Sequence, residues 1–599
     1  MNRINLLKHN NTRLKNRLDR LIQKSDRLSW IRLGIILLGI LFTVLALILS
    51  NEILSAIAIF HFLIAFSVAS FIHQKFKQSI KMHKLWHSIK SEHLSRATLN
   101  WQNIPQKMYK PESRHPFEID LDISGNHSLH RLLDNTSSKN ASDRLLAWFL
   151  IKEPHPEVVL NRQQLVKELI PFTRFRDKMK LHALMATEEI FDGNIFIEWI
   201  NNLSEGMPGK IFLTTLISLA LINITLFILN SIGLIPVYYL ISLIVYILLF
   251  QSKTKIVGRL FWEAVDLSDE ILKISHILIF LEKYPLEEGS GINNLLQSIR
   301  KAPTKPSRHV KSLHAIMSLF SFRRNIVIQF ILNIVLPVDY ILTVIFIRIK
   351  LKIKAKIPAW LDCWYELEAL SSLANFAWLN PAYTFPQFDS RHSILKCSKI
   401  GHPLIPRDQK CTNDFEIKNI GDIILITGSN MSGKSTFLRT VGINICLAQA
   451  GSVADAEMLT MQFLRLFTCI KIDDNLAEGL SYFYAEVKRL KRILNELQSE
   501  SEYPLLYLID EIYKGTNNQE RLSGSRAYIK SLSTHYGAGI VSTHDLELTY
   551  LESELNSLQN FHFHEQIEKD KMLFDFKLRK GPCPTTNALI IMKNEGLPT

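Results

Sequence analysis

The sequence predicts a multidomain chain: transmembrane helical hairpins, an all-α domain between and after them, and a C-terminal α/β domain built around a phosphate-binding loop. Three observations predict it. Apolar runs of spanning length come in two closely spaced pairs, 33–49 with 53–72 and 211–229 with 232–250. Helical periodicity fills the stretches between and after them. From about Gln387 short apolar runs bounded by turn residues take over, and one leads into Gly428-Ser-Asn-Met-Ser-Gly433-Lys434-Ser435.

With 599 residues the chain has room for roughly four domains. It is 47% hydrophobic with a mean hydropathy of +0.08, high for a purely soluble protein. The net charge of +14 suits an anionic partner, membrane surface or nucleic acid. Basic flanks of membrane spans produce the same sign. Six cysteines (363, 397, 411, 446, 469 and 583) are far apart and form no C-x-x-C. They read as reduced, buried thiols in a cytosolic setting rather than a disulfide frame or zinc site. No cleavable signal peptide is expected, because the N-terminus is long and charged before its first apolar run.

Residues 1–94 comprise a basic N-terminus and the first hairpin. Eight Lys/Arg stand in 1–29, and Lys75, Lys77, Lys81, Lys84 and Lys90 follow the second run. Basic flanks on both sides of a tight hairpin keep both ends in the cytoplasm. His61, mid-span, reads as a packed helix-contact residue. Residues 95–210 read as a helical domain; Asp120 and Asp122 before Gly125 read as a turn or cap device rather than metal ligands. The second hairpin, 211–250, turns at Asn230-Ser231 and is followed by Lys253, Lys255 and Arg259. Residues 251–386 return as helices. Within them 325–346 is apolar but interrupted by Gln329, Asn333, Pro337 and Asp339, and it reads as one long soluble core helix. Leu361, Trp364, Leu367 and Leu370 mark a core face, with Glu366 and Glu368 off it.

The remaining stretch, 387–599, carries the chemistry. Ile423–Ile426 reads as a buried strand, and the loop after it fits G-x-x-x-x-G-K-[ST]. Glycines let the amides of Gly428, Ser429, Asn430, Met431, Ser432 and Gly433 turn inward on phosphate oxygens, at the positive end of the next helix. Lys434 reaches the β/γ-phosphates, Ser435 supplies a hydroxyl to Mg²⁺, and Thr436 follows in the helix. A second apolar run, Leu505–Ile509, ends in Asp510-Glu511. There one carboxylate suits Mg²⁺, and its neighbour can orient or deprotonate an attacking water. Gly539–Ser542 leads into Thr543-His544-Asp545, which puts His544 at the phosphate mouth as a γ-phosphate sensor. ATP and Mg²⁺ are therefore the expected ligands.

TGSNMSGKSTFLRTVG, DEIYKGTN (510–517) and STHDLEL (542–548) together resemble the MutS family, whose ATPase is of the ABC class. The resemblance is specific over about 395–599 and fainter over 115–170 and 320–380, which look like the family's core and lever segments. It implies a homodimer with nucleotide at the interface, Asn413 lining the pocket and Ser481 reaching the partner subunit's nucleotide. It also implies lever movement driven by ATP binding and hydrolysis. There are departures. Membrane spans occupy the place of the mismatch-reading domain, and Phe196-Ile197-Glu198 matches its F-x-E wedge only in a helical stretch before a hairpin. Lys514 stands where many members carry Arg, keeping the charge without the planar fork.

The combined expectation is a multi-pass protein of the cytoplasmic (inner) membrane with its ATPase domain in the cytoplasm. Its expected partners are lipid, a second copy of itself, and double-stranded DNA without mismatch specificity. Two alternatives stand beside it. One is a mismatch-repair or damage-sensing factor held at the membrane. The other is an ABC-type half-transporter, which would need an LSGGQ-like signature before 505. EGLSYF occupies that place, and Leu522-Ser523-Gly524-Ser525 comes after.

Overall fold

The computed structural model describes residues 3–48, 52–106, 115–202, 209–391, 393–429, 431–471, 482–514, 516–568 and 571–584. Asn430 and Ser481 lie outside the described residues. The N-terminal two thirds is helical and the C-terminal third is α/β. Among the described residues three helices are long and apolar enough to cross a membrane, or five if each of two bent pairs is counted as one span.

The runs at 33–49 and 53–72 lie within two 46-residue helices, Arg3–Ile48 and Glu52–Ala97, each about 69 Å long at 1.5 Å per residue. They pack antiparallel. Gly39 admits the Phe62 ring where a Cβ would collide with it, and Ser25 bonds His73 at 3.1 Å. The apolar halves leave Leu37, Leu41, Phe42 and Phe60 exposed. The basic halves run on into the helical body as one stalk. There Glu92 accepts from Lys180 Nζ at 2.7 Å and Arg96 Nη2 at 2.6 Å, and Lys90 pairs with Asp177.

The second hairpin departs from the expected 232–250 arm. Its first helix is Lys210–Ser231, but the second starts at Tyr239 and ends at Ser252. Gly233, at φ +76°, and Pro236, which has no amide proton, occupy the turn between them. Fourteen residues span about 21 Å, about two thirds of a hydrocarbon core of about 30 Å, and the exposed turn residues Ile232, Leu234 and Val237 extend the apolar surface beyond the helix.

The expected single helix over 325–346 is also corrected. Two helices stand there, Ile326–Val335 and Val338–Lys354, bent by 89° at Leu336-Pro337. Proline removes a helix hydrogen bond and its ring clashes with the preceding turn, so the break falls at that residue.

Helix Ile357–Leu379 is buried on nearly every side and forms the axis of the body. Trp364, 1% exposed, lies against Phe191 with ring centroids 5.2 Å apart. Glu368 is not off the core face. It is buried and accepts from the amides of Ser137 and Ser138 at 3.2 and 3.1 Å, satisfying the N-terminus of helix Lys139–Phe149. Phe196 is fully buried among Phe191 and Trp199 and so belongs to the core.

Ten strands follow among the described residues: β1 Gln387–Phe388, β2 Leu395–Ile400, β3 Asn413–Ile417, β4 Ile423–Thr427, β5 Met458–Met461, β6 Arg465–Cys469, β7 Leu505–Asp510, β8 Gly537–Thr543, β9 Leu558–Glu568 and β10 Lys571–Lys580. They form a four-stranded sheet, β1-β5-β2-β3, and a six-stranded sheet, β10-β9-β4-β8-β7-β6. In the larger sheet all neighbours are parallel except β10 on β9. Every residue of β4, β7 and β8 is buried, as expected of strands covered on both faces. The register pairs Thr427 with Thr543 and Asp510 with Ser542, which brings the C-terminal ends of β4, β7 and β8 together.

Candidate functional site

The site assembles at those three strand ends, the edge where open α/β sheets bind ligands. β4 gives way to the loop 428–433, and helix Lys434–Gln449 starts directly after it. Two glycines make the loop possible. Gly433 holds φ +104°, and at Gly428, φ +147°, a Cβ would sit 2.8 Å from Phe563 O and from Ser432 Oγ.

Lys434 turns its ammonium back over this loop, donating to Gly428 O at 2.8 Å and Ser429 O at 2.9 Å. The His544 ring is 3.3 Å away. Ser435 Oγ donates to Asp510 Oδ2 at 2.6 Å, and Ser542 Oγ donates to the other oxygen of Asp510. Glu511, one residue beyond β7, has φ +63°, a backbone region uncommon outside glycine. Its amide donates to Ser542 O at 3.0 Å, and its Oε1 lies 2.8 Å from His544 Nε2. Burial pushes the Glu511 carboxyl up, but the His544 bond and the charges of Lys514, His544 and Lys434 outweigh it, so the group sits below its ordinary range. Lys514 Nζ lies 3.8 Å from Glu511 and 4.0 Å from Asp510. Beyond His544, Asp545 accepts two bonds from Arg521, at 2.9 and 2.8 Å, which tether the segment after β8.

Lys434, Ser435, Asp510, Glu511 and His544 thus converge, with Gly428, Ser429 and Gly433 framing them. Met431 is 86% exposed at the loop tip, and Ser432 is buried with its Oγ unbonded. That orphaned hydroxyl and the tight glycine cradle fit a loop shaped around an anionic group. No group of three or more His, Cys, Asp or Glu gathers as a metal cluster among the described residues. One carboxylate and one hydroxyl suit Mg²⁺, which takes one or two protein oxygens and completes its shell with water and phosphate.

Beside the first turn of helix Lys434–Gln449 lies a cavity of about 470 Å³, lined by His402, Ile405, Asn413, Thr436, Phe437 and Phe576 among others. Asn413 lines it and also braces its wall. Its amide donates to Phe576 O at 3.0 Å and accepts from Leu578 N at 2.9 Å, holding the Phe576 ring over Gly433. Burial, helped by Arg439 and Lys410 against Asp122, pushes His402 down to about 4, so it lines the cavity as a neutral ring.

Some functional residues escaped the sequence reading. Asp120 is no turn device. It is 1% exposed and accepts from Thr468 Oγ1 at 2.6 Å, Ile470 N at 2.9 Å, Lys471 N at 3.1 Å and Arg489 Nη2 at 2.6 Å. Asp122 pairs with Lys471 at 2.6 Å and Arg439 at 3.4 Å. Leu121 between them packs on Gly442, where a Cβ would sit 2.7 Å from it. The D-x-D therefore clamps the helical body to the end of β6 and to the helix that starts beside the glycine loop. Ser542 was legible inside STHD but not as the second bond on Asp510. Leu522–Ser525 lies in helix Asn518–Leu532, beyond β7.

Residues 424–599 match the family model described as MutS domain V. Over 240 residues, 39% of this chain and 27% of the relative, the sequence is 32% identical to the DNA mismatch repair protein MutS of Geobacillus sp. (strain WCH70). The protein of the same name from Lactococcus lactis subsp. cremoris (strain MG1363) is 32% identical over 210 residues, 35% of this chain and 24% of the relative. That of Shouchella clausii (strain KSM-K16) is 32% identical over 240 residues. The chain spans about a quarter of the length of these curated relatives. The similarity supports a MutS-family protein and falls on the C-terminal part that holds the converging site.

Proposed function

We propose that the chain is a membrane-anchored, MutS-like ATPase that works as a homodimer, binding and hydrolysing ATP to move its helical levers. The observation that carries this reading is the convergence of the glycine loop, the Ser435–Asp510 pair and the Glu511–His544 pair at three adjacent strand ends. The loop amides and Lys434 hold the β/γ-phosphates, exchanging the loop carbonyls for phosphate oxygens. The nucleoside lies towards the cavity beside Phe576 and Thr436. Ser435 and Asp510 hold Mg²⁺, which when bound neutralises phosphate charge. Glu511, kept ionised and aimed by His544, orients the attacking water and accepts its proton. The water oxygen bonds to the γ-phosphorus as the bridging β–γ bond breaks, and ADP and phosphate leave. His544 links Glu511 to Lys434 and so registers the γ-phosphate.

Glu511→Gln should retain ATP binding and lose at least about a hundredfold in turnover, the scale of general-base catalysis, whereas Lys434→Ala should weaken nucleotide binding itself. Nucleotide titration by fluorescence together with phosphate release separates the two. Near-normal hydrolysis by Glu511→Gln would refute the assignment.

The apolar surfaces of 33–72 and 211–250 support the membrane anchor, and the basic flanks support an ATPase domain in the cytoplasm. The names of the relatives and the positive charge support sequence-independent binding of double-stranded DNA as a second activity.

A further inference from the structure

Helix Ile326–Val335 is inside out for a helix in water. Its inward side is polar: Asn333 is buried, its Oδ1 accepting from Asp339 N at 3.0 Å, and Gln329 Nε2 donates to Asp339 Oδ2 at 3.0 Å. Arg323 Nε meets the same carboxylate at 3.0 Å. The outward side is apolar: Ile326 is 79% exposed, Val327 65%, Phe330 63% and Ile331 56%. A helix facing water distributes these residues the other way round. An exposed apolar patch of this kind marks an interaction surface.

Its neighbours say which. The helix lies against the second hairpin, with Tyr246 donating to Asn333 O and a cavity of about 250 Å³ between Phe250, Gln251, Ile326 and Phe330. That hairpin itself exposes Leu221, Ile241, Ile244 and Leu248, so the helix stands beside a second apolar surface. Ten residues rise only about 15 Å, half the hydrocarbon thickness. The helix after the 89° bend cannot supply the other half of a crossing. It carries Lys350, Lys352 and Lys354 and packs Phe346 into the body against Phe320 and Trp199.

We propose that Ile326–Val335 is a re-entrant half-helix, its outward face covered by the acyl chains of one leaflet. This rests on the reading of the hairpins as membrane spans. Gln329 and Asn333 find their partners in Asp339, whose carboxylate Arg323 meets in turn, as polar groups at bilayer depth require. A segment that enters and leaves by the same face adds no crossing, so the side on which the ATP site lies is unchanged.

The test places a nitroxide on single cysteines in the full chain, with the six native cysteines replaced. The protein is reconstituted in phosphatidylcholine–phosphatidylglycerol nanodiscs. Collision with oxygen and with an aqueous nickel chelate is read at Ile331→Cys, at Ile241→Cys in the hairpin, and at Tyr550→Cys on the α/β domain. Position 331 should resemble 241, with high oxygen access and nickel access at least about tenfold below 550. If 331 resembles 550 while 241 stays lipidic, the half-helix proposal falls and the spans stand. Low access to both reagents at 331 means that protein, such as a second copy, covers the face, and this also overturns it. If 241 resembles 550, the membrane reading fails first. In sealed vesicles Lys301→Cys and Lys356→Cys should react with an impermeant maleimide from the same side. Reaction from opposite sides would make the segment a crossing and end the proposal.

Discussion

Glu511 shows how much of the proposed chemistry depends on a few partners. Its carboxyl is depressed although burial alone would raise it. A base with a depressed value is present above that value and is lost as pH falls through it. ATP hydrolysis should therefore show no loss through Glu511 between pH 8 and the ordinary carboxylate range near 4.3. Lys514→Met removes one of the lowering charges and should move the acid limb of the rate profile upward. An unchanged limb in that variant would show that Lys514 does not act on Glu511. At this scale the sequence is highly legible where chemistry is local. Lys434 and Ser435 are adjacent in one motif, and Asp510-Glu511 ends a run of apolar residues that can only be a covered strand. Asp120 was illegible for the opposite reason: its partners lie about 350 positions away, and a carboxylate before a turn looks the same whether it caps the turn or clamps another domain.

Among the elements, the stalk depends on a buried carboxylate. Burial raises Glu92, but Lys180 and Arg96 overcome this and take it from 4.5 down to about 2. Such a group stabilises the fold above its unfolded value and loses that contribution as pH falls from about 4.5 towards 2. A depression of this size corresponds to about 3 kcal/mol. Glu92→Gln should lower stability at pH 7 by about that amount, because it leaves the buried Arg96 and the half-buried Lys180 without their carboxylate. The gap to wild type should persist to about pH 4 and close towards about pH 2.5, as read from thermal midpoints across that range. A gap independent of pH would mean that Glu92 contributes by packing. Element type was largely readable, since helical periodicity and covered-strand runs differ in length and flanking residues. Helix ends were not. Pro337 carried the signal for the break, yet the apolar run on either side looked continuous. Gly233 and Pro236 similarly shortened the second hairpin arm, against a hydrophobic pattern that continued through them.

For the whole molecule, the proposed dimer predicts complementation. Lys434→Ala and Ser481→Arg should each be nearly inactive alone. If Ser481 serves the partner's nucleotide, a mixed dimer has one site with both defects and one intact site. Random mixing then restores roughly a quarter of wild-type ATPase activity. Absence of recovery, in mixtures shown to contain mixed dimers that bind one ATP, would place the two residues in one site. The proposed DNA binding should not distinguish matched from mismatched duplexes, since apolar helical hairpins stand where the resemblance would put a mismatch-reading domain. A preference above about tenfold, roughly 1.4 kcal/mol, in filter binding across a salt series would contradict this.

The stalk adds a consequence of simple leverage. Arg3 donates to Trp378 O and stacks over the Trp378 ring, at the end of the body's axial helix, and Ile4 shares a cavity with Phe376 and Arg407. The first 46-residue helix is thus gripped at its base and free of the body towards its apolar tip. Over about 69 Å, a tilt of about 5° at the base sweeps the tip sideways by roughly 6 Å, more than one helical turn. A rearrangement too small to notice near the strand ends would be plainly measurable as a distance change between labels at the far end of the rod.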